Sequence, residues 1–399
     1  MPWKESRPMD ERMKFMLMHE EGGWSLTDLC EMFGVSRKTG YKWRKRYAEQ
    51  GMEGLRALSC APRRHPNAVA AEIEAAIVTL KTQRPKRGPK KLWQLLHDRY
   101  PDVHWPARST IAAILKRHGL VRSRRRCRKT PPYAQPFAGL DHSNAVWSAD
   151  LKGWFKTGDG QRCDPLTITD NYSRYLLRCQ TVRPATFETI RPVFVGAFLE
   201  YGLPQAIRTD NGPPFATTTV GGLSPLSIWW IRLGILPERI QPGKPQQNGR
   251  HERMHRTLKD EAISPPKATA RRQQAAFDDF LWEFNHERPH ESLSQRVPAS
   301  VYVASSRPFP LRLPEMTYPN DMLVRGVKSQ GDISWKGHHV YLTATLAGER
   351  IGLCQITEDR WDIFFGPIRL AQLDTERQCL IHLPKTKRSW GTKRCEQPH

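Results

Sequence analysis

The sequence predicts a multidomain protein with an all-α N-terminal part, a central α/β domain and a small antiparallel β-barrel near the C-terminus. Apolar residues recur at helical spacing up to about residue 125, strand and helix patterns alternate from about residue 143, and short β-rich runs between glycine turns begin near residue 316. We place domains at residues 1–62, 63–125, 143–305 and 316–374, with a linker at 126–142 and a tail at 375–399.

The chain is strongly basic. Its 63 Lys and Arg against 40 Asp and Glu give a formal net charge of 63 − 40 = +23. This excess attracts polyanions, most commonly nucleic acid, and an anionic membrane surface is the competing partner. No apolar run has the length of a transmembrane helix, and the N-terminus lacks the apolar core of a signal peptide, so we expect a cytoplasmic protein with no membrane partner. None of the 8 cysteines forms a C-x-x-C pair, which argues against a zinc finger.

The segment "WSLTDLCEMFGVSRKTGYKWRKRY" predicts two helices joined by a short turn. Ser25 followed by Asp28 is an N-cap pattern, Gly34 turns the chain, and Ser36 caps the second helix. The second helix is basic and carries Arg37, Lys38, Lys42, Arg44, Lys45 and Arg46. This is the outline of a helix-turn-helix, whose second helix enters the DNA major groove. The alternative is a helical hairpin with a solvated basic face.

Residues 63–125 predict a second helical domain of DNA-binding type. The segments "AEIEAAIVTLKTQ", "PKKLWQLLHDRY" and "STIAAILKRHGL" have helical periodicity, and we expect Ser109 to cap the third helix and Gly119 to end it. The linker "VRSRRRCRKTPPYAQPF" either follows phosphates with its arginine cluster or is a solvated tether.

Three carboxylates of the α/β region lie where active sites are commonly built. Asp150 is within the first strand, "AVWSADLKGWF", where a charge is costly unless it faces a site. Asp210 ends the fourth strand, "PQAIRTDNG", and Glu252 lies one turn into the predicted helix "QNGRHERMHRTLKDE". If the first and fourth strands are adjacent, the two aspartates converge and a nearby helix can deliver Glu252. Singly, each acid is weak evidence, because an Asp before Asn-Gly is frequently only part of a turn.

Three converging carboxylates repel one another unless cations neutralise them. Oxygen ligands of this kind suit Mg²⁺, or Mn²⁺ as a substitute. Two such ions, about 3.5–4 Å apart, can activate a water or hydroxyl and stabilise the leaving oxygen of a phosphoryl displacement. The carboxylates therefore favour metal-dependent chemistry on phosphodiesters.

Five blocks in order over residues 143–305 resemble the catalytic core of bacterial insertion-sequence transposases of the retroviral-integrase type. They are "WSADLKGWF", "LTITDNYSRYLL", "IRTDNGPPF", "PGKPQQNGRHERMHRTLKDE" and "FNHERPHESLSQRVPASVY". The resemblance implies an RNase H-like fold, a D-D-E triad at Asp150, Asp210 and Glu252, and metal-dependent 3′-end cleavage and strand transfer. It also implies double-stranded DNA partners (the element ends and the target), a homo-oligomer on DNA and association with the bacterial nucleoid. Between the second Asp and the Glu, 252 − 210 − 1 = 41 residues intervene, more than in many members, and "ATTTVGGLSPLS" is the predicted insertion.

The helix that carries Glu252 is basic. The resemblance implies that it lies along the bound DNA end, with Lys259 near a phosphate; Arg253 and Arg256 on the helix and Lys244 in the preceding loop are further candidates. For each of them the alternative is a solvated charge.

His251-Glu252-x-x-His255 also matches the zinc-protease pattern, with two helical histidines as ligands and the glutamate as base. The pattern recurs at His286 to His290, where Pro289 would break the required helix, and nothing specifies a third ligand among Asp278, Asp279 and Glu283. A protease also leaves the basic charge unexplained. A catalytically silent DNA-binding regulator derived from a transposase is the stronger alternative, and replacement of any of the three carboxylates would favour it.

Overall fold

The computed structural model describes residues 8–59, 68–121, 141–217, 219–240 and 249–382. The chain divides into two compact units, with the boundary between Ala70 and Ala71. Most of the predicted linker and the last part of the predicted tail fall outside the described residues. In the part of the chain that is described, no helix is both long and apolar enough to cross a bilayer.

The first unit contains helices α1 (Pro8–Glu20), α2 (Leu26–Met32) and α3 (Arg37–Gln50). The predicted caps are confirmed: Ser25 and Asp28 form a capping box before α2, and Ser36 accepts from the backbone of Thr39 at the start of α3. The helices enclose a small apolar core that includes Leu29. Gly40 of α3 allows the helices to approach closely, because a Cβ there would overlap the sulfur of Cys30.

The second unit begins with α4 (Ala71–Gln83), α5 (Pro89–Arg99) and α6 (Arg108–Arg117). The expectation that Ser109 caps α6 was wrong, because the helix starts one residue earlier and no side chain caps it. Gly119 does end the helix, with a φ of 68°.

Two arginines between α4 and α5 attach this helical part to the last helix of the α/β domain, α10 (Ala270–His286). Arg84 pairs with Glu283 at 2.7 Å and with Glu287 at 2.5 Å. Arg87, only 2% exposed, also pairs with Glu283 and donates to the backbone carbonyl of Glu287 at 3.1 Å. Burial lowers the pKa of Arg87, and Glu283 opposes that shift. Helices α4 to α6 are therefore attached to the α/β domain by a partly exposed ionic cluster around the buried Arg87.

The α/β domain is a mixed sheet of β1 (Val146–Leu151), β2 (Phe155–Lys156), β3 (Arg162–Asp170), β4 (Leu176–Val182), β5 (Ala206–Thr209) and β6 (Leu236–Arg239). β3 pairs antiparallel with β1, β2 and β4, whereas β5 is parallel to both β1 and β6. This alternation of strands and helices is the predicted α/β pattern.

Two apolar clusters cover the sheet. Trp147, Leu166 and Ile168 pack with α7 (Phe187–Tyr201) and α8 (Pro225–Arg232). A separate cluster joins Cys163, Leu176 and Cys179 to α9 (Gly249–Leu258) and α10. Successive residues of a strand point to opposite faces of the sheet. In β1 and β3, the residues that lie between members of the first cluster therefore point to the other face, on which α9 packs. That face carries Asp150.

The C-terminal region has strands β7 (Leu323–Gly326), β8 (Asp332–Trp335), β9 (His338–Tyr341), β10 (Arg350–Thr357), β11 (Arg360–Phe365), β12 (Ile368–Asp374) and β13 (Cys379–His382). We predicted a small barrel, but the described strands form an open five-stranded sheet, β13-β12-β11-β10-β7, and a separate β8-β9 hairpin. The sheet extends past Asp374, where the sequence placed its end. It packs on α8 and on Leu223, which belongs to the predicted insertion.

His290, which follows α10, makes a pH-dependent contribution to the stability of the protein. Burial lowers the pKa of His290 to about 3, and Lys91 and Arg288 add repulsion. The unfolded value is near 6.5, so stability is fully present above that pH and is lost as pH falls towards 3, by up to about 1.4 kcal/mol per pH unit. We expect His290→Phe to make the acid dependence of unfolding shallower by that slope in denaturant titrations. His286→Phe, at an exposed histidine of α10, is the control; equal slopes for His290→Phe and the wild type would contradict the prediction.

Candidate active site

Two of the predicted carboxylates lie at the ends of adjacent parallel strands, Asp150 within β1 and Asp210 directly after β5. The β1–β5 pairing matches Val146 with Ala206 and Ser148 with Arg208. Two residues further along this register, Asp150 comes beside Asp210. Both side chains are partly buried. The condition set by the sequence, that the first and fourth predicted strands be adjacent, is met.

Asp210 lies in a tight turn directly after β5. Its Oδ1 accepts one hydrogen bond, at 3.2 Å, from the backbone of Gly212. A Cβ at Gly212 would lie 3.1 Å from the other carboxylate oxygen, so the turn favours glycine there. Burial raises the pKa of Asp210, and the single amide only partly offsets this shift. A bound cation would stabilise the charged carboxylate, as a metal ligand requires.

Glu252 lies on the exposed side of α9. The buried side of that helix consists of His251, Met254, His255 and Leu258. Within the described ranges, Asp150, His251 and His255 form a group of possible ligands whose atoms lie within 4.8 Å of one another, and Glu252 is not part of it. The strand register therefore makes neighbours of Asp150 and Asp210, whereas the group of possible ligands around Asp150 includes neither Asp210 nor Glu252.

The two histidines of α9 contact threonines of β3. Thr167, which pairs with Asp150 across the β1–β3 ladder, has its Oγ1 2.6 Å from Nε2 of His251 and 2.7 Å from Nε2 of His255. Nδ1 of His255 lies 3.9 Å from Oδ2 of Asp150. Burial lowers the pKa of His251 to about 3 and that of His255 to about 2, so both rings are neutral at physiological pH.

The threonines of β3 that contact these histidines were not among the residues predicted from the sequence. Their signal is the alternation in "LTITD", where Thr167 and Thr169 are separated by one apolar residue and therefore share a face. His251 and His255 both lie on the buried side of α9, as the protease hypothesis needs. However, Glu283, one nominated third ligand, is bound to Arg84 and Arg87, and the carboxylate that faces the histidines is Asp150.

The predicted DNA-binding residues are on exposed surfaces where they are described. Arg253, Arg256 and Lys259 are exposed on α9 and the turn of π-helix that follows, Lys259–Ile263. Lys244 is outside the described residues. In the first unit Arg37, Lys38, Lys42 and Arg44 of α3 are all exposed. Cationic side chains on open surface are able to meet phosphates.

Comparison with known families supports the resemblance seen in the sequence. Two integrase core domain models match residues 141–245 and 233–298, and two homeodomain-like domain models match residues 6–56 and 39–115. The chain thus carries an integrase core domain, the type of core found in the insertion-sequence DDE transposases that the sequence resembles. Asp150 and Asp210 lie in the first integrase match and Glu252 in the second. The core places the chain in the superfamily of DDE-type phosphoryl transferases, and both kinds of domain indicate DNA binding.

Two insertion-element proteins are similar over 250 residues of this chain. The IS476 uncharacterized 39.2 kDa protein of Xanthomonas euvesicatoria is 27% identical over 61% of this chain and 67% of its own length. The IS407 uncharacterized 31.7 kDa protein of Burkholderia multivorans is 26% identical over 61% of this chain and 83% of its own length. Among solved structures, the HTLV-2 integrase catalytic core domain in complex with magnesium aligns with 41% of this chain and 99% of its own, at 19% identity and a TM-score of 0.33.

Proposed function

We propose that this transposase binds the terminal inverted repeats of a mobile element, hydrolyses the 3′ ends and joins the exposed 3′-hydroxyls to target DNA. The proposal is supported mainly by the parallel pairing of β1 with β5, whose register, when extended by two residues, makes neighbours of Asp150 and Asp210. Adjacent strand ends in α/β sheets are where such sites form. The integrase core and the net charge of +23 agree with a DNA substrate.

Asp150, Asp210 and Glu252 are the residues that would hold the divalent ions, Mg²⁺ or Mn²⁺. The fit rests on the partly buried carboxylate of Asp210, whose raised pKa a cation would lower again. When bound, two ions supply an activated nucleophile and stabilise the leaving oxygen. Glu252 is exposed on α9. To bind the same ions as the aspartates, it therefore has to reach them by a movement of its side chain or of the helix.

The protein's own groups position the DNA. Arg253, Arg256 and Lys259 bind phosphates of the element end along α9, and Lys244 adds to them from the preceding loop. Water and then the 3′-hydroxyl are the nucleophiles, so no covalent protein intermediate forms. Two ends must be paired and cut, and the protein therefore acts as a homo-oligomer on DNA.

Nicking of supercoiled plasmid tests the proposal. With Mn²⁺ or Mg²⁺ we expect the wild type to nick and Asp210→Asn to be inactive. Asp279→Asn, at an exposed carboxylate of α10, is the matched control and should nick like the wild type. Metal-independent nicking, or equal nicking by Asp210→Asn, would refute the assignment. If neither protein nicks plasmid, the same comparison on the element's own termini decides between the transposase and the silent DNA-binding regulator.

Arg37, Lys38, Lys42 and Arg44 are expected to contact backbone phosphates when α3 enters the major groove. Each phosphate contact contributes about −0.9 to the slope of log affinity against log salt, so Lys38→Ala should lower the steepness by roughly 0.9. Lys45→Ala is the control, because Lys45 is paired with Glu49 at 3.9 Å. Fluorescence anisotropy at several salt concentrations measures both. A slope for Lys38→Ala that matches the wild type would favour the solvated helical hairpin.

A further inference from the structure

His255 lies between the β3 threonines and the first aspartate of the site. Its Nε2 is 2.7 Å from Oγ1 of Thr167, and its Nδ1 is 3.9 Å from Oδ2 of Asp150. The ring is 5% exposed and forms an edge contact with His251, with centroids 4.6 Å apart. Its orientation is therefore fixed by packing as well as by the hydrogen bond.

The hydrogen bonds of the Thr167 hydroxyl determine which nitrogen of each histidine carries the proton. A hydroxyl has one proton to donate and can accept two hydrogen bonds. Thr167 donates to the backbone carbonyl of Asp150, at 3.2 Å. Both Nε2 atoms, 2.6 and 2.7 Å away, must then be donors to Thr167. His251 completes the pattern, because its Nδ1 accepts from Thr169 at 3.3 Å.

With Nε2 protonated, neutral His255 carries a lone pair on Nδ1. Nδ1 lies 3.9 Å from Oδ2 of Asp150, and because a nitrogen lone pair and a carboxylate oxygen are both metal ligands, the two atoms can share one cation. Metal–nitrogen and metal–oxygen bonds of about 2.1 Å each span about 4.2 Å. Since the two atoms are 3.9 Å apart, one ion can reach both without displacing either side chain.

His251 is not a third ligand, although its ring belongs to the same group. Both of its nitrogens are already hydrogen-bonded, to Thr167 and to Thr169. The hydroxyl of Thr167 fills the space between the two Nε2 atoms. A metal site made of both histidines would have to break this network, whereas Nδ1 of His255 is presented without rearrangement.

We propose that Nδ1 of His255 is a nitrogen ligand of the divalent ion held by Asp150, and that Thr167 is the positioning residue that fixes its tautomer. The inference rests on the proposed function, since it assumes the ion at Asp150. Imidazole is a better ligand for Mn²⁺ than for Mg²⁺. The site should therefore bind Mn²⁺ more tightly than a site of oxygen ligands alone.

Pulsed electron paramagnetic resonance of the full chain loaded with Mn²⁺ tests this directly. We expect the electron spin echo of Mn²⁺ to be modulated by a bound nitrogen nucleus. The modulation frequency should change when the protein contains histidine labelled with the heavy nitrogen isotope. His255→Gln should abolish the modulation and weaken Mn²⁺ binding by at least about tenfold. His251→Gln, which leaves Nδ1 of His255 in place, should retain the signal. The isotope comparison uses wild-type protein and does not depend on how the variants fold.

Two results would overturn the proposal and leave the proposed function intact. One is Mn²⁺ bound by the wild type with no nitrogen modulation. The other is a modulation that persists in His255→Gln and disappears in His251→Gln. Failure of the wild type to bind Mn²⁺ at all, with Asp210→Asn behaving identically, would instead reject the metal site on which the proposed function depends.

Discussion

Asp150→Asn is expected to lower metal-dependent DNA cleavage by about 10³-fold, because loss of a metal ligand removes several kcal/mol of transition-state stabilisation. The amide keeps the size of the carboxylate but not its charge. DNA affinity and its salt dependence should be unchanged, since Asp150→Asn alters none of the predicted phosphate-binding residues. Cleavage and anisotropy assays on the same DNA separate the two properties.

Asp164→Asn is the control for a carboxylate within the sheet. Asp164 lies in β3, is also largely buried and pairs with Arg162 at 2.7 Å, away from Asp150. This variant should keep cleavage even if it unfolds more easily. Equal loss of cleavage in the two variants would mean that the effect of Asp150→Asn is structural, and loss of DNA binding by Asp150→Asn would count against a purely chemical role.

Arg87→Ala is expected to lower the free energy of unfolding by about 3 kcal/mol, the lower end of the range for removing one partner of a buried ion pair. Arg87 is almost fully buried between α4 and α10, and its loss leaves Glu283 and the carbonyl of Glu287 with fewer donors. Arg84 remains paired with Glu283, which keeps the effect from being larger. Equilibrium denaturation of the full chain, followed by circular dichroism, measures the change.

Lys90→Ala tests whether the burial of Arg87 is the reason for the expected loss of stability in Arg87→Ala. Lys90 pairs with Glu291 at 3.0 Å, but both side chains are exposed, so little change in stability is expected. If Arg87→Ala and Lys90→Ala destabilise the protein equally, the buried cluster has no special role. Glu283→Gln should lower the free energy of unfolding by a similar amount to Arg87→Ala, because it removes the carboxylate with which both Arg84 and Arg87 pair.

Much of the fold follows from local patterns in the sequence. The capping pair Ser25 and Asp28, the helix end at Gly119 and the interruption before Pro289 are set by neighbouring residues, and each is found in the structure. Period-two alternation likewise identified the strand that contains Asp150. Such features depend on contacts within a few residues, so the sequence alone determines them.

The tertiary structure decided which of these pieces meet. Adjacency of β1 and β5 makes neighbours of Asp150 and Asp210, which are 60 residues apart by their numbers (210 − 150 = 60). The contacts of Thr167 with the α9 histidines, and of Arg87 with Glu283, join residues still more distant in the chain. No local periodicity encodes such contacts, because they depend on how helices pack on the sheet. For the same reason the sequence predicted C-terminal strands but not their arrangement as an open sheet.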